Sequence, residues 1–260
     1  MKIFINIDTN NQKSIKTREM LIGLAGKINM ETVEDAESCD IIFSIGGDGT
    51  FLKTARLSSQ KPIIGINTGT LGYLTEINPE DIEKALDDIN NGDYYIEERM
   101  MLEGEVVRSN GDVVEIPESL NEIAISKNSF GVVRFDAIVN EKLINSYTAD
   151  GILVCTPTGS TAYNLSCGGP IVDPTAEIIT LTPIAPHTVI NRSLILSDDS
   201  VVEIRITELR ENTLSYVLYD GKPIEVFSKD TIKIRKSDKI TKIIKLEDRS
   251  FIDTIRENIS

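Results

Sequence analysis

The stretch SIGGDGTFLKTAR, residues 44–56, decides how the first half of the chain reads. The apolar run DIIFSI ends there in two glycines, an aspartate and a third glycine follow, and residues with the look of a helix come next. Glycines after a strand let the backbone turn sharply and approach a ligand, while the helix beyond offers free N–H groups and the positive end of its dipole. Phosphate binding is therefore plausible at Gly46, Gly47, Gly49 and Thr50. Two familiar loops are excluded. A dinucleotide fingerprint starting at Gly47 needs glycine or alanine at position 52, where Leu52 stands. A Walker loop needs Gly-Lys-Ser/Thr, which occurs nowhere in the chain. What remains is Asp48 held between glycines. It suits a base that accepts a hydroxyl proton or a group that positions a metal-bound nucleotide, but the Gly-Asp-Gly by itself favours a turn aspartate capping a helix that begins near Thr50.

Outward from this loop, strand and helix signals alternate over the first 95 or so residues. KIFINI and KPIIGIN are further short apolar runs, and Leu21, Leu24, Ala25 and Ile28 recur at helical spacing. NPEDIEKALDDINNG reads as a helix, with Asn78 as cap, Pro79 in the first turn and Gly92 as the stop. Such alternation predicts a parallel sheet with helices on its faces. From about residue 100 the period becomes two. GVVRFDAIVN, SVVEIRIT, LSYVLYD and DTIKIRK read as strands, and Asp220-Gly221 between two such runs is a hairpin signal. The expected fold is an α/β N-terminal domain with a parallel sheet plus an all-β, antiparallel, sandwich-like C-terminal domain. The final segment turns helical again, with Ser250 and Asp253 as a capping box and an apolar stripe at Phe251, Ile252, Ile255 and Ile259. That helix should return to the first domain. The expected boundaries are 1–97 plus 237–260 for an α/β nucleotide-binding domain, and 98–236 for a β domain.

Composition narrows the partners. With 27 basic and 41 acidic residues, the formal charge is −14, which argues against a general nucleic-acid binder. An anionic substrate would need backbone amides or a metal ion rather than help from the overall field. No apolar stretch approaches the roughly 18 residues of a membrane span, and MKIFINID turns polar too soon for a signal peptide. Cysteines 39, 155 and 167 are odd in number and lack CxxC spacing. They read as reduced thiols of a cytoplasmic protein without a zinc site.

A second stretch, TADGILVCTPTGSTAYNLSCGGP at 148–170, joins a strand to a run of hydroxyls, glycines and one tyrosine. Hydroxyls and open amides are what sugar hydroxyls and a purine edge require. GGDGT at 46–50, NTGTLGYL at 67–74, LNE at 120–122, DGILVCTPTGSTAYNLSCGGP at 150–170, LTPIAPHT at 181–188 and DG at 220–221 appear in one order. Together they resemble the NAD kinases over nearly the whole chain. GGDGT alone is shared with diacylglycerol-type lipid kinases; the long second motif is not.

The resemblance implies transfer of the γ-phosphoryl group of ATP, or of inorganic polyphosphate in some members, to the 2′-hydroxyl of the adenosine ribose of NAD, giving NADP. It implies Asp48 as the base, with Gly46, Gly47, Gly49 and Thr50 in the phosphate loop. Asn121 and Glu122 match an Asn-Glu pair that contacts the dinucleotide. Thr161, Ala162, Tyr163, Asn164, Leu165 and Ser166 match the stretch that holds the adenosine and the nicotinamide end. Asp150 and Ala185 fall on residues of the nicotinamide half. Lys53, one helical turn past the loop, suits phosphate neutralisation or a solvated helix face equally. His187 is the only histidine, yet the resemblance assigns the chemistry to the aspartate, so a packing or pocket role is expected. Mg²⁺ or another divalent cation would accompany the donor, its protein ligands unassigned. A homodimer or homotetramer with sites shared between subunits is expected in the same way.

Thr148 departs from the pattern, since many members carry arginine just ahead of the Ala/Gly/Ser-Asp-Gly triplet, here Ala149-Asp150-Gly151. A lost positive charge near the nicotinamide would relax the preference for NAD over NADH, or weaken a phosphate contact. Lys222 and Cys167 depart too, without changing the assignment. Two rival readings are a lipid kinase of the diacylglycerol type and a non-catalytic dinucleotide sensor. The first should show a membrane-seeking basic or amphipathic face, and the second could dispense with Asp48.

Overall fold

The short apolar runs of the N-terminal half, too short for amphipathic helices, form strands of a parallel sheet. In the computed structural model, residues 1–57, 60–69, 72–128, 131–188, 191–209, 214–246 and 250–259 are described. The chain forms two compact units, Met1–Arg99 with Ile240–Ser260, and Met100–Lys239.

In the first unit the order is β1 (Lys2–Ile7), α1 (Gln12–Lys27), β2 (Glu31–Thr32), β3 (Ile41–Gly46), α2 (Asp48–Ala55), β4 (Ile63–Asn67) and α3 (Ile82–Asn91). The strands lie β2-β1-β3-β4 and all are parallel. Both faces of such a sheet are covered by helices, so β3 and β4 are buried along their whole length. Leu21 and Ala25 of α1 and Ile82, Leu86 and Ile89 of α3 pack with Phe43, Ile45, Ile64 and Ile66 of the sheet. Gly92 ends α3 in the left-handed region at φ 80, which only glycine adopts freely. Two boundaries differ from the sequence expectation. Pro79–Asp81 make a separate 3₁₀ turn before α3, and the Asn78 side chain does not cap it. Helix α2 starts at Asp48 rather than near Thr50, because Gly47 takes the cap position.

The second unit is antiparallel β structure. Its strands are β5 (Tyr95–Val107), β6 (Val113–Ser119), β7 (Glu122–Lys127), β8 (Val133–Val139), β9 (Lys142–Ala149), β10 (Gly151–Cys155), β11 (Ile178–Ile184), β12 (Leu194–Ser197), β13 (Val202–Leu209), β14 (Ser215–Tyr219), β15 (Lys222–Val226) and β16 (Thr231–Lys245). A short helix, α4 (Tyr163–Ser166), interrupts the crossover after β10. One layer runs β12-β11-β10-β7-β14-β15, and the other contains β16-β13-β8-β9 with β5 and β6. Alternation sends Ile123, Ile125, Ile152 and Val154 of the first layer inward to meet Phe135, Ala137, Ile204 and Ile232 of the second. The opposite face of β7 and β10, which carries Glu122, Ala124, Leu153 and Cys155, is thereby left for other work. Asp220 and Gly221 turn between β14 and β15 with φ of 43 and 80, the two positive values of a type I′ hairpin.

The last strand, β16, carries the chain back, and Ile243 pairs in parallel with Ile63 of β4. Helix α5 (Phe251–Ile259) follows and belongs to the first unit. Ser250 Oγ accepts from Asp253 N at 3.2 Å and donates to its carboxylate at 2.6 Å, so the cap forms as its residues predict. The apolar stripe is not buried throughout, since Ile252 is 69% exposed. Among the described residues no helix is long and apolar enough to cross a membrane.

Candidate active site

At the end of β3 the glycines have separate reasons. A Cβ on Gly46 would stand 2.3 Å from Thr50 Oγ1, so the first turn of α2 folding back on the strand requires glycine there. A Cβ on Gly47 or Gly49 would meet nothing within 4 Å. The chain itself does not demand glycine at these two positions, but a ligand resting on the backbone would. Thr50 N and Phe51 N donate to the Gly47 carbonyl at 2.9 and 3.1 Å, so the amides of Asp48 and Gly49 are the ones that precede the first hydrogen bonds of α2. A buried polar staple holds α2 in place: Asn6 Nδ2 donates to Thr54 Oγ1 at 2.8 Å, and Thr54 Oγ1 donates to Ser44 Oγ at 2.8 Å.

Asp48 is the first residue of α2, not its cap. Its carboxylate accepts two consecutive amides, from Tyr73 to Oδ2 at 2.9 Å and from Leu74 to Oδ1 at 3.1 Å. A Cβ on Gly72 would lie 2.3 Å from Asp48 Oδ1, so glycine at 72 is what lets the 72–74 backbone reach the carboxylate. Each carboxylate oxygen keeps a second lone pair for a further donor. Burial, with Asp48 adding, raises the Tyr73 phenol above its ordinary range. Thr70 and Leu71 of the same motif lie outside the described residues. Lys53 is exposed and lines a cleft of about 140 Å³ with Asn6, Asp8, Asn10, Thr50 and Leu57.

In the second unit, Asn121 and Glu122 stand at the head of β7, where Glu122 pairs with Cys155 of β10. The Asn121 carbonyl accepts from Thr156 N at 2.9 Å, and a Cβ on Gly159 would come within 2.1 Å of it. The hydroxyl-rich stretch after β10 is thus folded tightly against β7. Asn164 Nδ2 donates to the carbonyls of Ser160 and Pro170 at 3.3 and 3.0 Å, and its Oδ1 accepts from Thr182 Oγ1 at 2.8 Å. Asn164 is wholly buried; it holds the loop from inside, and its amide is spent on that task. Thr161, Ala162 and Tyr163 are half-buried, while Leu165 and Ser166 are exposed. Tyr163 and Cys167 pack against Ala124, Leu153 and Cys155. Burial pushes both the Tyr163 phenol and the Cys155 thiol up, so Cys155 is an inert core thiol.

Glu122 differs from its neighbours. Its Oε2 is enclosed and has no hydrogen-bond partner among the described residues. Burial first, then the Asp220 carboxylate, push its pKa up to about 8. A buried polar atom left without a partner costs free energy unless something else satisfies it, which makes Glu122 a candidate for contact with a ligand.

Asp150, Thr148 and Ala185 gather at the other end of β10. Asp150 Oδ1 lies 2.6 Å from Lys127 Nζ, which also donates to the Gly131 carbonyl at 2.8 Å. The Thr148 carbonyl accepts from the His187 amide at 2.8 Å. The His187 ring is exposed. Ala185 is exposed and adopts φ 43, a strained conformation for an alanine. Five residues of strand separate Asp150 from Cys155, about 17 Å, so the structure sets Asn121 and Glu122 apart from Asp150 and Ala185 by that length. Sequence reasoning missed Lys127, Asp220, Gly72 and Gly159. Gly72, Gly159 and Asp220 stood inside the motifs that carry the resemblance, Asp220 also as a hairpin residue, but none had a site role attached. Lys127 carried no local signal.

The chain matches the ATP-NAD kinase N-terminal domain over residues 7–94 and the ATP-NAD kinase C-terminal domain over residues 120–246. It belongs to the NAD kinase family. It is 42% identical over 225 residues to the NAD kinase of Caldanaerobacter subterraneus subsp. tengcongensis, which covers 85% of this chain and 78% of that relative. To the NAD kinase of Carboxydothermus hydrogenoformans it is 39% identical over 250 residues, 94% of this chain and 88% of the other. An NAD kinase from Archaeoglobus fulgidus, solved in complex with ATP, superposes with a TM-score of 0.81 at 27% identity, covering 98% of this chain and 99% of that one. Yeast NADH kinase, solved with NADH, shares the fold, with a TM-score of 0.89 at 22% identity over 100% of this chain and 87% of that one.

Because Gly72 keeps the backbone against Asp48, Gly72→Ala should separate the two. We expect the rate of any reaction that uses Asp48 to fall at least tenfold, while the melting temperature moves by a few degrees at most. An unchanged rate in steady-state assays would show that the 72–74 amides do not set the carboxylate's position.

Proposed function

We propose that this chain is an NAD kinase that moves the γ-phosphoryl group of ATP, or the terminal phosphoryl of polyphosphate, onto the 2′-hydroxyl of the adenosine ribose of NAD. The observation that carries this reading is the Asp48 carboxylate, held by two amides beside a helix N-terminus that glycines leave open. Phosphoryl transfer asks a protein for position and charge stabilisation more than for covalent chemistry. Asp48 takes the proton of the 2′-hydroxyl as its oxygen bonds to the γ-phosphorus. The bond from phosphorus to the bridging oxygen breaks, and ADP leaves. Gly46, Gly47, Gly49 and Thr50 offer backbone to the donor phosphates, with Lys53 as the nearby cation.

In the second unit the separation along β10 suits an extended dinucleotide. Asn121 and Glu122, with Thr161, Ala162, Tyr163 and Ser166, serve the adenosine side, and Asp150 and Ala185 serve the nicotinamide side. Asn164 supports the loop, and Leu165 adds an apolar rim. A divalent cation such as Mg²⁺ fits as a companion of the donor phosphates, where it neutralises charge. Among the described residues no three His, Cys, Asp or Glu side chains form a metal cage, so no protein ligand is assigned to it.

Three further readings belong here. Thr148 puts no charge ahead of the Asp-Gly, and Arg134, its cross-strand neighbour, is engaged by Glu208; we infer relaxed discrimination between NAD and NADH. The edge strand β9 leaves Leu143 and Ile144 61% and 43% exposed, which supports a homodimer or homotetramer. Three free cysteines, two of them buried, suit a cytoplasmic enzyme.

The decisive test is NADP formation from NAD and Mg-ATP, followed by a coupled dehydrogenase, for the wild type and Asp48→Asn. We expect a loss of about a hundredfold or more in kcat with NAD still bound. Binding without turnover in the wild type, tried also with polyphosphate, would instead indicate a dinucleotide sensor. Thr148→Arg should raise the ratio of NAD to NADH rates, and an unchanged ratio would remove Thr148 from the specificity argument. Sedimentation of the purified chain should give a dimer or tetramer mass; a monomer would overturn the shared-site reading.

A further inference from the structure

The hairpin tip between β14 and β15 does more than turn the chain. An Asp-Gly pair is enough for a type I′ turn through its backbone alone, yet the Asp220 side chain is fully committed elsewhere. Its Oδ2 accepts from Leu120 N at 3.0 Å, and its Oδ1 accepts from Asn121 N at 2.9 Å and Glu122 N at 3.4 Å. The Asp220 amide in turn donates to the Glu122 carbonyl at 3.2 Å. From the other side, Thr156 N and Gly159 press on the Asn121 carbonyl. The backbone of 120–122 is therefore clamped on both sides, while the Glu122 side chain presents an enclosed oxygen with no partner among the described residues.

We propose that Asp220 is a positioning residue of the dinucleotide site: its carboxylate fixes the backbone from which Asn121 and Glu122 project and keeps a second negative charge beside Glu122. The inference rests on the reading of Asn121 and Glu122 as dinucleotide contacts. It adds an effect on protons. Among the described residues, the titratable groups that face Glu122 are Asp220 from the hairpin, Cys155 from β10, and Tyr163 and Cys167 from the loop and α4. Asp220 supplies the like charge among them, and like charge favours the protonated carboxyl. Near neutral pH the free protein carries Glu122 largely protonated. A ribose hydroxyl that donates to Oε2 prefers the carboxylate, so binding releases a proton. The KM for NAD then falls as pH rises through about 8. Removing the Asp220 charge moves that step to lower pH.

The test compares the wild type, Asp220→Asn and Glu122→Gln. NAD KM and kcat are measured from pH 6 to 9, and the Glu122 carboxyl is titrated by carbon NMR in the free protein. The wild type should show the KM step, Glu122→Gln should lack it, and Asp220→Asn should shift both the step and the NMR inflection downward. At pH 9, where Glu122 is ionised in both proteins, Asp220→Asn should still raise the NAD KM about tenfold with kcat changed by less than about twofold, the signature of lost positioning in binding. An unmoved inflection, an unchanged KM at pH 9, or a fall in kcat alone would each overturn the proposal. Should Asp220→Asn fail to fold, the wild-type and Glu122→Gln profiles still decide, because a KM step that persists in Glu122→Gln refutes the coupling. Failure of the kinase reading itself would show differently, as a wild type that never phosphorylates NAD.

Discussion

A carboxylate that accepts two successive backbone amides is the constraint on which the first half of this molecule turns. Asp48 cannot swing into solvent while Tyr73 and Leu74 donate to it. Those donors can come so close only because residue 72 has no side chain. The strand end at Gly46, the start of α2 and the segment after β4 are thus locked to one another through a single side chain. A group that must meet a hydroxyl within hydrogen-bond distance gains most from being held before the substrate arrives.

The same device recurs in the second unit with a different outcome. Asp220 also pins consecutive amides, those of residues 120–122, but there the pinned backbone carries the side chains proposed to meet the dinucleotide. The result is an inner shell whose hydrogen bonds are spent on the fold and an outer group, Glu122, left unsatisfied. Asn164 belongs to the inner shell: two of its hydrogen bonds hold the Ser160 and Pro170 carbonyls of the loop, and a third ties the loop to Thr182 of β11. Half-buried Tyr163 and exposed Ser166, one residue to either side of the pair Asn164-Leu165, stay accessible.

Charge follows the same economy of means. A chain of formal charge −14 offers phosphates little attraction at long range, and within the described part of the first loop Lys53 is the cation that lines the neighbouring cleft. Backbone amides at a helix N-terminus supply fixed positive potential without a side chain that could pair with a neighbouring acid.

Local chemistry was legible along the chain. The period of the apolar residues identified the parallel α/β part and the antiparallel β part, Asp220-Gly221 announced its hairpin, and Ser250 with Asp253 announced the last cap. These signals depend on neighbours a few residues apart, so they survive in the sequence alone. Element ends were less legible: Pro79 began a 3₁₀ turn rather than α3, and Gly47 displaced the start of α2, because caps are settled by where the flanking chain must go. The partners of each functional side chain came only from tertiary structure. Asp48 lies 25 and 26 residues from its donors, and Asp220 lies about a hundred from the amides it holds. Lys127 meets Asp150 only because two strands run side by side. Which glycine is crowded by a neighbour and which is not, and which asparagine faces inward, depends on atoms that folding alone brings within a few ångströms.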